Sequence, residues 1–177
     1  MKLSTRRVAQ LAVMVALLVI GAYVSIPLRP VPLTFQSAFV VLTPLLFGST
    51  AYIAVLAYLL LGLVGLPVFA GGASGLVALS GPTGGFLFGF LLASIVIGVL
   101  AEHWHWDSWR RELILAEGSL VLIYVPGILW LWRILMLQGG TAKVALLSLV
   151  PILAFDIVKM VVVAALARPL RTALAEV

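Results

Sequence analysis

The sequence predicts an all-α integral membrane protein, a bundle of six transmembrane helices with long loops on the outer side. Three observations predict it. The chain is 64% apolar and only 10% charged, with a mean hydropathy of +1.26, far above the range of soluble domains. The apolar residues fall into six runs, most of them near the ~20 residues that a helix needs to cross a bilayer. Lys and Arg stand beside those runs, where they orient a membrane protein. No polar or low-complexity linker divides the chain, so a single domain over residues 1–177 is expected.

The runs cover residues 8–26, 33–47, 49–66, 86–101, 113–137 and 151–167. The first follows a basic start as a signal peptide would, but residues 21–30 offer no small-residue cleavage site, so it is read as a retained helix. It carries Ala9, Ala12 and Ala16, with Ala12 and Ala16 four apart on one face. Small residues at that spacing let another helix approach closely, within the bundle or from a separate membrane subunit. The second run is short and contains Pro44. Before it lies IPLRPVPLTFQ at 26–36, stiffened by three prolines and ending in Thr34 and Gln36, whose side chains donate and accept hydrogen bonds.

Residues 62–89 hold 9 of the 16 glycines of the chain and are expected to form a long outer loop. Glycine at this density permits sharp turns and lets backbone amides approach a ligand, and loops of this length usually serve as lids or binding loops. The segment EHWHWDSWRRE at 102–112 joins the fourth and fifth runs. Trp104, Trp106 and Trp109 read as interfacial anchors, as do Trp130 and Trp132. His103 and His105 have no further His or Cys to complete a metal site. Residues 138–150, QGGTAKVALLSLV, are too interrupted to span and are expected to form a loop followed by a surface-lying or partly re-entrant turn.

Six spans place both termini on one side. With that side cytoplasmic, the inner segments hold Lys2, Arg6, Arg7, Arg110, Arg111, Arg168 and Arg171, against Arg29, Lys143 and Arg133 outside. The excess of basic residues inside satisfies the orientation rule. The net charge of +5 is therefore explained by orientation and anionic lipid, and a nucleic-acid partner is not expected.

The last run opens with PILAFDIVK at 151–159, and Asp156 and Lys159 are its only acid and base. Three residues apart on a helix, they share a face. An ionisable group at the bilayer centre costs at least ~2.5 kcal/mol, so such a pair faces protein, water or a polar ligand. Either it neutralises itself and pins the bundle, or it floors a binding site. A helix beginning near Val144 would bury Asp156 mid-membrane, whereas Pro151 in the first turn, the placement preferred here, would leave it one or two turns in.

Enzyme chemistry finds little support. GPTGG at 81–85 lacks the Gly-Lys-Ser/Thr ending of a phosphate loop, and no Gly-Lys pair occurs in the chain. Both histidines lie outside the spans, away from any candidate nucleophile. Paired carboxylates are missing from the spans. A binding and transport subunit is the first reading; a small intramembrane enzyme and a structural subunit, with Asp156 and Lys159 as an internal pair, are the alternatives.

VPLTFQS at 31–37, YLLLGLVGLPVFAGGASG at 58–75, LSGPTGGFLFGF at 79–90 and the late Pro-to-Asp-x-x-Lys at 151–159 together resemble the BioY family. These are the biotin-binding S components of energy-coupling factor (ECF) transporters. The resemblance implies a six-helix S-component domain in a prokaryotic cytoplasmic membrane, with a vitamin pocket near the outer face closed by the loops after the first, third and fifth helices. It implies that Asp156 and Lys159 contact the bicyclic head group of biotin, and that Ala12 and Ala16 dock on a transmembrane coupling protein driven by two ATPase subunits. No cofactor and no metal is implied. The family usually has glycine directly before the aspartate, where this chain has Phe155, so the backbone at the start of the last helix is expected to differ.

The residue chemistry is compatible with that implication. A ureido ring offers two N–H donors and one carbonyl, which Asp156 and Lys159 could satisfy together, although Lys159 could instead meet the valerate carboxylate. The apolar rings and tail are expected on Phe35, Tyr58 and Phe69, beside Thr34 and Gln36, with loop amides near Gly75 and Thr83 as further donors.

Overall fold

A computed structural model describes residues 3–104, 108–139 and 141–176. Six principal helices match the six expected runs: α1 (Thr5–Tyr23), α2 (Gln36–Phe47), α3 (Tyr52–Leu63), α5 (Gly84–His103), α6 (Trp109–Leu137) and α7 (Ala142–Glu176). A two-stranded antiparallel hairpin, β1 (Ser25–Ile26) and β2 (Leu33–Thr34), connects α1 to α2, with Ser25 opposite Thr34. The glycine-rich stretch is less of a loop than expected. It holds a 3₁₀ turn at Ala70–Gly72 and a short helix α4 (Gly75–Ser80) before α5 begins.

Cross-contacts give the direction of each helix. Gly21 of α1 faces Gln36 and Phe39, and Arg7 at its other end covers Phe47, so α1 and α2 are antiparallel. Gln36 donates to Tyr58 Oη at 2.8 Å. On a straight helix those residues would stand about 33 Å apart at 1.5 Å per residue, so the chain reverses between them. It does so at Gly48, whose φ of +58° suits glycine, through the 3₁₀ turn Gly48–Ala51. The largely apolar 28-residue stretch Gln36–Leu63 is thus two 12-residue helices joined by that turn. Each is about 18 Å long, well short of the ~30 Å hydrocarbon core.

The remaining helices pack at full length. Gly98 of α5 lies against the backbone of Gly48 and Ser49, Gly89 against Ile123, and Gly127 of α6 against the Phe86 ring. Tyr124 of α6 meets Asp156 of α7, and Glu112 meets Arg171. Hence α1, α3 and α6 run one way and α2, α5 and α7 the other. Arg6 donates to the Leu174 carbonyl, so both ends of the described chain lie on one side. The core between the helices is apolar, with Leu18, Leu45, Leu115, Ile123, Leu131 and Met160 all under 2% exposed.

Two expectations about the last helix are corrected. Residues 142–150 are not a separate surface turn: α7 starts at Ala142 and carries Pro151 in its interior. Pro151 has no N–H to give to the preceding turn, but Leu149 and Ile152 on either side are buried and hold the helix through it. Asp156 therefore lies about 21 Å into the helix, the deeper of the two placements. Phe155 likewise sits within continuous helix, not at its start. His105 and Trp106 lie outside the described residues.

Close helix approach at Gly89 generates a test. A Cβ there would stand 2.7 Å from Ile123 Cα, so Gly89→Ala is expected to cost about 1–3 kcal/mol. Gly118 has open space around its Cβ position, and Gly118→Ala is expected to hold or raise stability by about 0.5–1 kcal/mol. Thermal unfolding in detergent, followed by circular dichroism, reads both.

Candidate functional site

A cavity of about 60 Å³ lies where the hairpin, the N-terminus of α2 and the stretch between α3 and α5 meet α5, α6 and α7. It has room for about two water molecules, well under the ~300 Å³ at which ligand pockets begin. Phe69, Phe86, Phe90, Leu87, Ile123 and Ile152 supply apolar walls, and Thr34, Gln36, Ser37, Thr83, Tyr124 and Asp156 supply polar groups.

Asp156 is the organising group. It is 4% exposed and accepts from Ser37 Oγ at 3.0 Å and from Tyr124 Oη at 2.9 Å. The Lys159 ammonium completes its shell as an ion pair one helical turn along. Lys159 also donates to the Thr34 carbonyl at the end of β2 and to Ser37 Oγ at 2.7 Å. An ammonium has three N–H donors, and those contacts occupy all of them. Lys159 Nζ further lies 5.7 Å from the Phe35 ring and 5.1 Å from the Phe155 ring, which cover it as cation–π partners.

The predicted site residues divide into three groups. Asp156, Thr34, Gln36, Phe69 and Thr83 line the cavity. Lys159 and Tyr58 stand directly behind it. Tyr58 receives the Gln36 amide, donates to the Val68 carbonyl at 3.1 Å and packs edge-on against Phe69 at 5.4 Å. It thus positions two lining residues without lining the cavity. Phe35 and Gly75 lie apart from the cavity lining. Phe35 is 41% exposed and packs edge-on against Phe155 at 5.6 Å; Gly75, with φ of +69°, opens α4.

Sequence reasoning missed Tyr124 and Ser37 as partners of Asp156, along with the Phe86 and Phe90 walls. A signal for Tyr124 was available, because a phenol within an apolar span needs a hydrogen-bond partner when buried. The Phe155 position has an explanation in packing: its ring closes over the lysine together with Phe35. Ala9, Ala12 and Ala16 form an exposed stripe on α1, away from the cavity. Among the described residues no cluster of three or more His, Cys, Asp or Glu could hold a metal.

A helical membrane bundle whose loops close one end over a cavity with aromatic walls and a charged floor has the build of a solute-binding membrane protein. The BioY family model matches residues 1–176. The chain is 41% identical to the biotin transporter BioY of Thermotoga maritima, over 94% of this chain and 96% of that one. It is 35% identical to the biotin transporter BioY of Rhizobium etli, over 94% and 93%, and 34% identical to the probable biotin transporter BioY of Pyrococcus horikoshii, over 89% and 91%. The chain belongs to the BioY family. Its fold is that of the S-component for biotin from an ECF-type ABC transporter, with a TM-score of 0.83, 23% identity, and coverage of 97% of this chain and 95% of that one.

Breaking the buried pair tests how the site is held. Asp156→Ala leaves the Lys159 ammonium buried without its counter-charge and is expected to cost about 3–5 kcal/mol. Adding Lys159→Met should recover at least half of that loss, since an uncompensated charge costs more than the missing pair. Unfolding temperatures of wild type and both variants decide; a double variant no better than the single would show that the charge is not what destabilises.

Proposed function

We propose that this multi-pass membrane protein captures biotin in the cavity above Asp156, as the substrate-binding S component of an ECF-type transporter. The observation that carries the site assignment is the Asp156 carboxylate on a cavity wall that is otherwise largely apolar. It supplies the acceptor that ureido N–H groups require, while Phe69, Phe86 and Phe90 suit the bicyclic ring and tail. Family membership over almost the whole chain supports the same reading.

The geometry suggests how capture proceeds. A cavity of this size admits biotin only when the hairpin or the stretch between α3 and α5 moves outward. Lys159 has its three donors engaged and meets a ligand only by releasing a partner. Thr34, at the end of the short hairpin, is the partner able to move without unwinding a helix. Ligand entry thereby exchanges the Thr34 carbonyl for a ligand oxygen, the ureido carbonyl or the valerate carboxylate.

The chain works as a single domain over residues 1–177 in a prokaryotic cytoplasmic membrane, with the end bearing Arg6, Arg7, Arg110, Arg111, Arg168 and Arg171 inside. The exposed Ala9, Ala12 and Ala16 stripe fits close approach of a helix from a transmembrane coupling protein, energised by two ATPase subunits. The chain carries no phosphate loop of its own.

Calorimetric titration of biotin into detergent-purified protein tests capture, with dethiobiotin, thiamine and riboflavin as comparisons. Saturable biotin binding is expected, weakened at least about tenfold by Asp156→Asn, which keeps the shape but removes the charged hydrogen bond. Unaltered affinity in that variant would reject the site; no binding by folded wild type would reject biotin. Paired Ala12→Trp and Ala16→Trp substitutions are expected to abolish co-purification with the coupling protein while leaving the biotin affinity of the isolated subunit unchanged.

A further inference from the structure

The end of the bundle opposite the binding cavity carries a second cavity, of about 340 Å³, between the start of α1 and the last turns of α7. Arg6, Arg7 and Arg171 line it with Ser4 and Gln10, and Leu46, Phe47 and Leu174 supply its apolar surface. Arg171 is a fixed wall: it donates to the Leu45 carbonyl at 3.3 Å and pairs at 2.9 Å with Glu112, a carboxylate it shares with Arg111. Arg6 and Arg7 are held differently. Arg6 donates to the Leu174 carbonyl, and Arg7 lies 5.0 Å over the Phe47 ring. Among the described residues those partners are neutral, so both guanidiniums bring positive charge and further N–H donors to the cavity.

Position and lining together define a ligand. Arg6 and Arg7 directly precede the apolar run that begins at Val8, which puts them at the depth where acyl chains give way to head groups. The planar guanidinium fork matches phosphate oxygens, and basic pockets between membrane helices hold anionic head groups. We infer that this cavity binds the phosphate of an anionic phospholipid. Arg6 and Arg7 clamp the phosphate, and Leu46, Phe47 and Leu174 receive the glycerol and the first methylenes of an acyl chain. A free phosphate or an acidic protein segment would use the arginines and leave Leu46, Phe47 and Leu174 without a role. The lipid fixes the start of α1, the helix that carries the alanine stripe, to the end of α7. This inference is independent of biotin capture.

The test uses the full chain in nanodiscs of mixed phosphatidylcholine and phosphatidylglycerol, released into mild detergent for native mass spectrometry of the lipid that stays bound. Preferential retention of phosphatidylglycerol is expected. The double substitution Arg6→Gln, Arg7→Gln should reduce it about thirtyfold, and each single substitution about fivefold. Arg29→Gln with Arg133→Gln, which removes the same net charge from the other end, should change nothing. Retention unaltered in both single variants, or lost equally in the Arg29 and Arg133 control, would overturn the site. Displacement of the lipid by inorganic phosphate at equal concentration would overturn the lipid assignment in favour of a free-anion site. Loss of coupling-protein assembly in the double variant, with phosphatidylglycerol preference intact, would overturn it in favour of an acidic protein partner. Because lipid retention is read without biotin, failure of either reading leaves the other standing.

Discussion

The ion pair between Asp156 and Lys159 is the constraint to which the rest of the cavity-bearing half answers. Both groups are about 95% buried, and a charge pair taken from water is tolerated only where its remaining donors and acceptors are satisfied. The protein meets that demand from three other elements, through Ser37 of α2, Tyr124 of α6 and the Thr34 carbonyl of β2, with the rings of Phe35 at the start of α2 and Phe155 of α7 itself over the lysine. These contacts draw α2, α6 and β2 toward α7. The polar floor of the cavity and the convergence of helices around it are therefore one arrangement.

Short helices make room for that arrangement. Because α2 and α3 are 12 residues each, the N-terminus of α2 ends below the level reached by α5 and α6. Gln36 and Ser37 are thereby carried into the bundle, where a full-length span would have placed apolar residues. Close packing supplies the depth: at Gly89 the α5 backbone lies directly against that of α6, and at Gly127 the α6 backbone receives the Phe86 ring. Small residues replace hydrophobic driving force in such contacts, since lipid is as apolar as the helix surface.

Charge is concentrated at two levels along α6 and α7. At one end Tyr124 meets Asp156; at the other, Glu112 is shared by Arg111 and Arg171, with Arg111 also donating to the Ala101 carbonyl of α5. The segments between these levels, from Leu115 to Ile123 on α6 and from Met160 to Ala167 on α7, are mostly apolar, interrupted on α6 by Glu117 and the buried Ser119, and form the seam that joins them. The two clusters divide the labour of the bundle. One faces the cavity beneath the hairpin and the stretch between α3 and α5; the other ties α2, α5, α6 and α7 together at the end where the termini lie.

The sequence by itself determined the membrane class, the number of principal helices, their alternating direction and the importance of Asp156. Those properties are local: apolar run length sets a span, an even number of spans returns the chain to its starting side, and a lone acid in an apolar run is conspicuous wherever it packs. The family resemblance in residues 58–90 and 151–159 rested on local motifs in the same way. Tertiary structure decided the partners. That Tyr124, 32 residues away, and Ser37, 119 residues away, complete the Asp156 shell depends on helix rotation and depth, which hydropathy does not encode. The same holds for Lys159, which periodicity put on the cavity face and packing turned behind it, and for Pro151, whose preference for a first turn gave way to the buried residues on either side. A preference of one residue is worth at most a few kcal/mol, and the packing of several neighbours outweighs it.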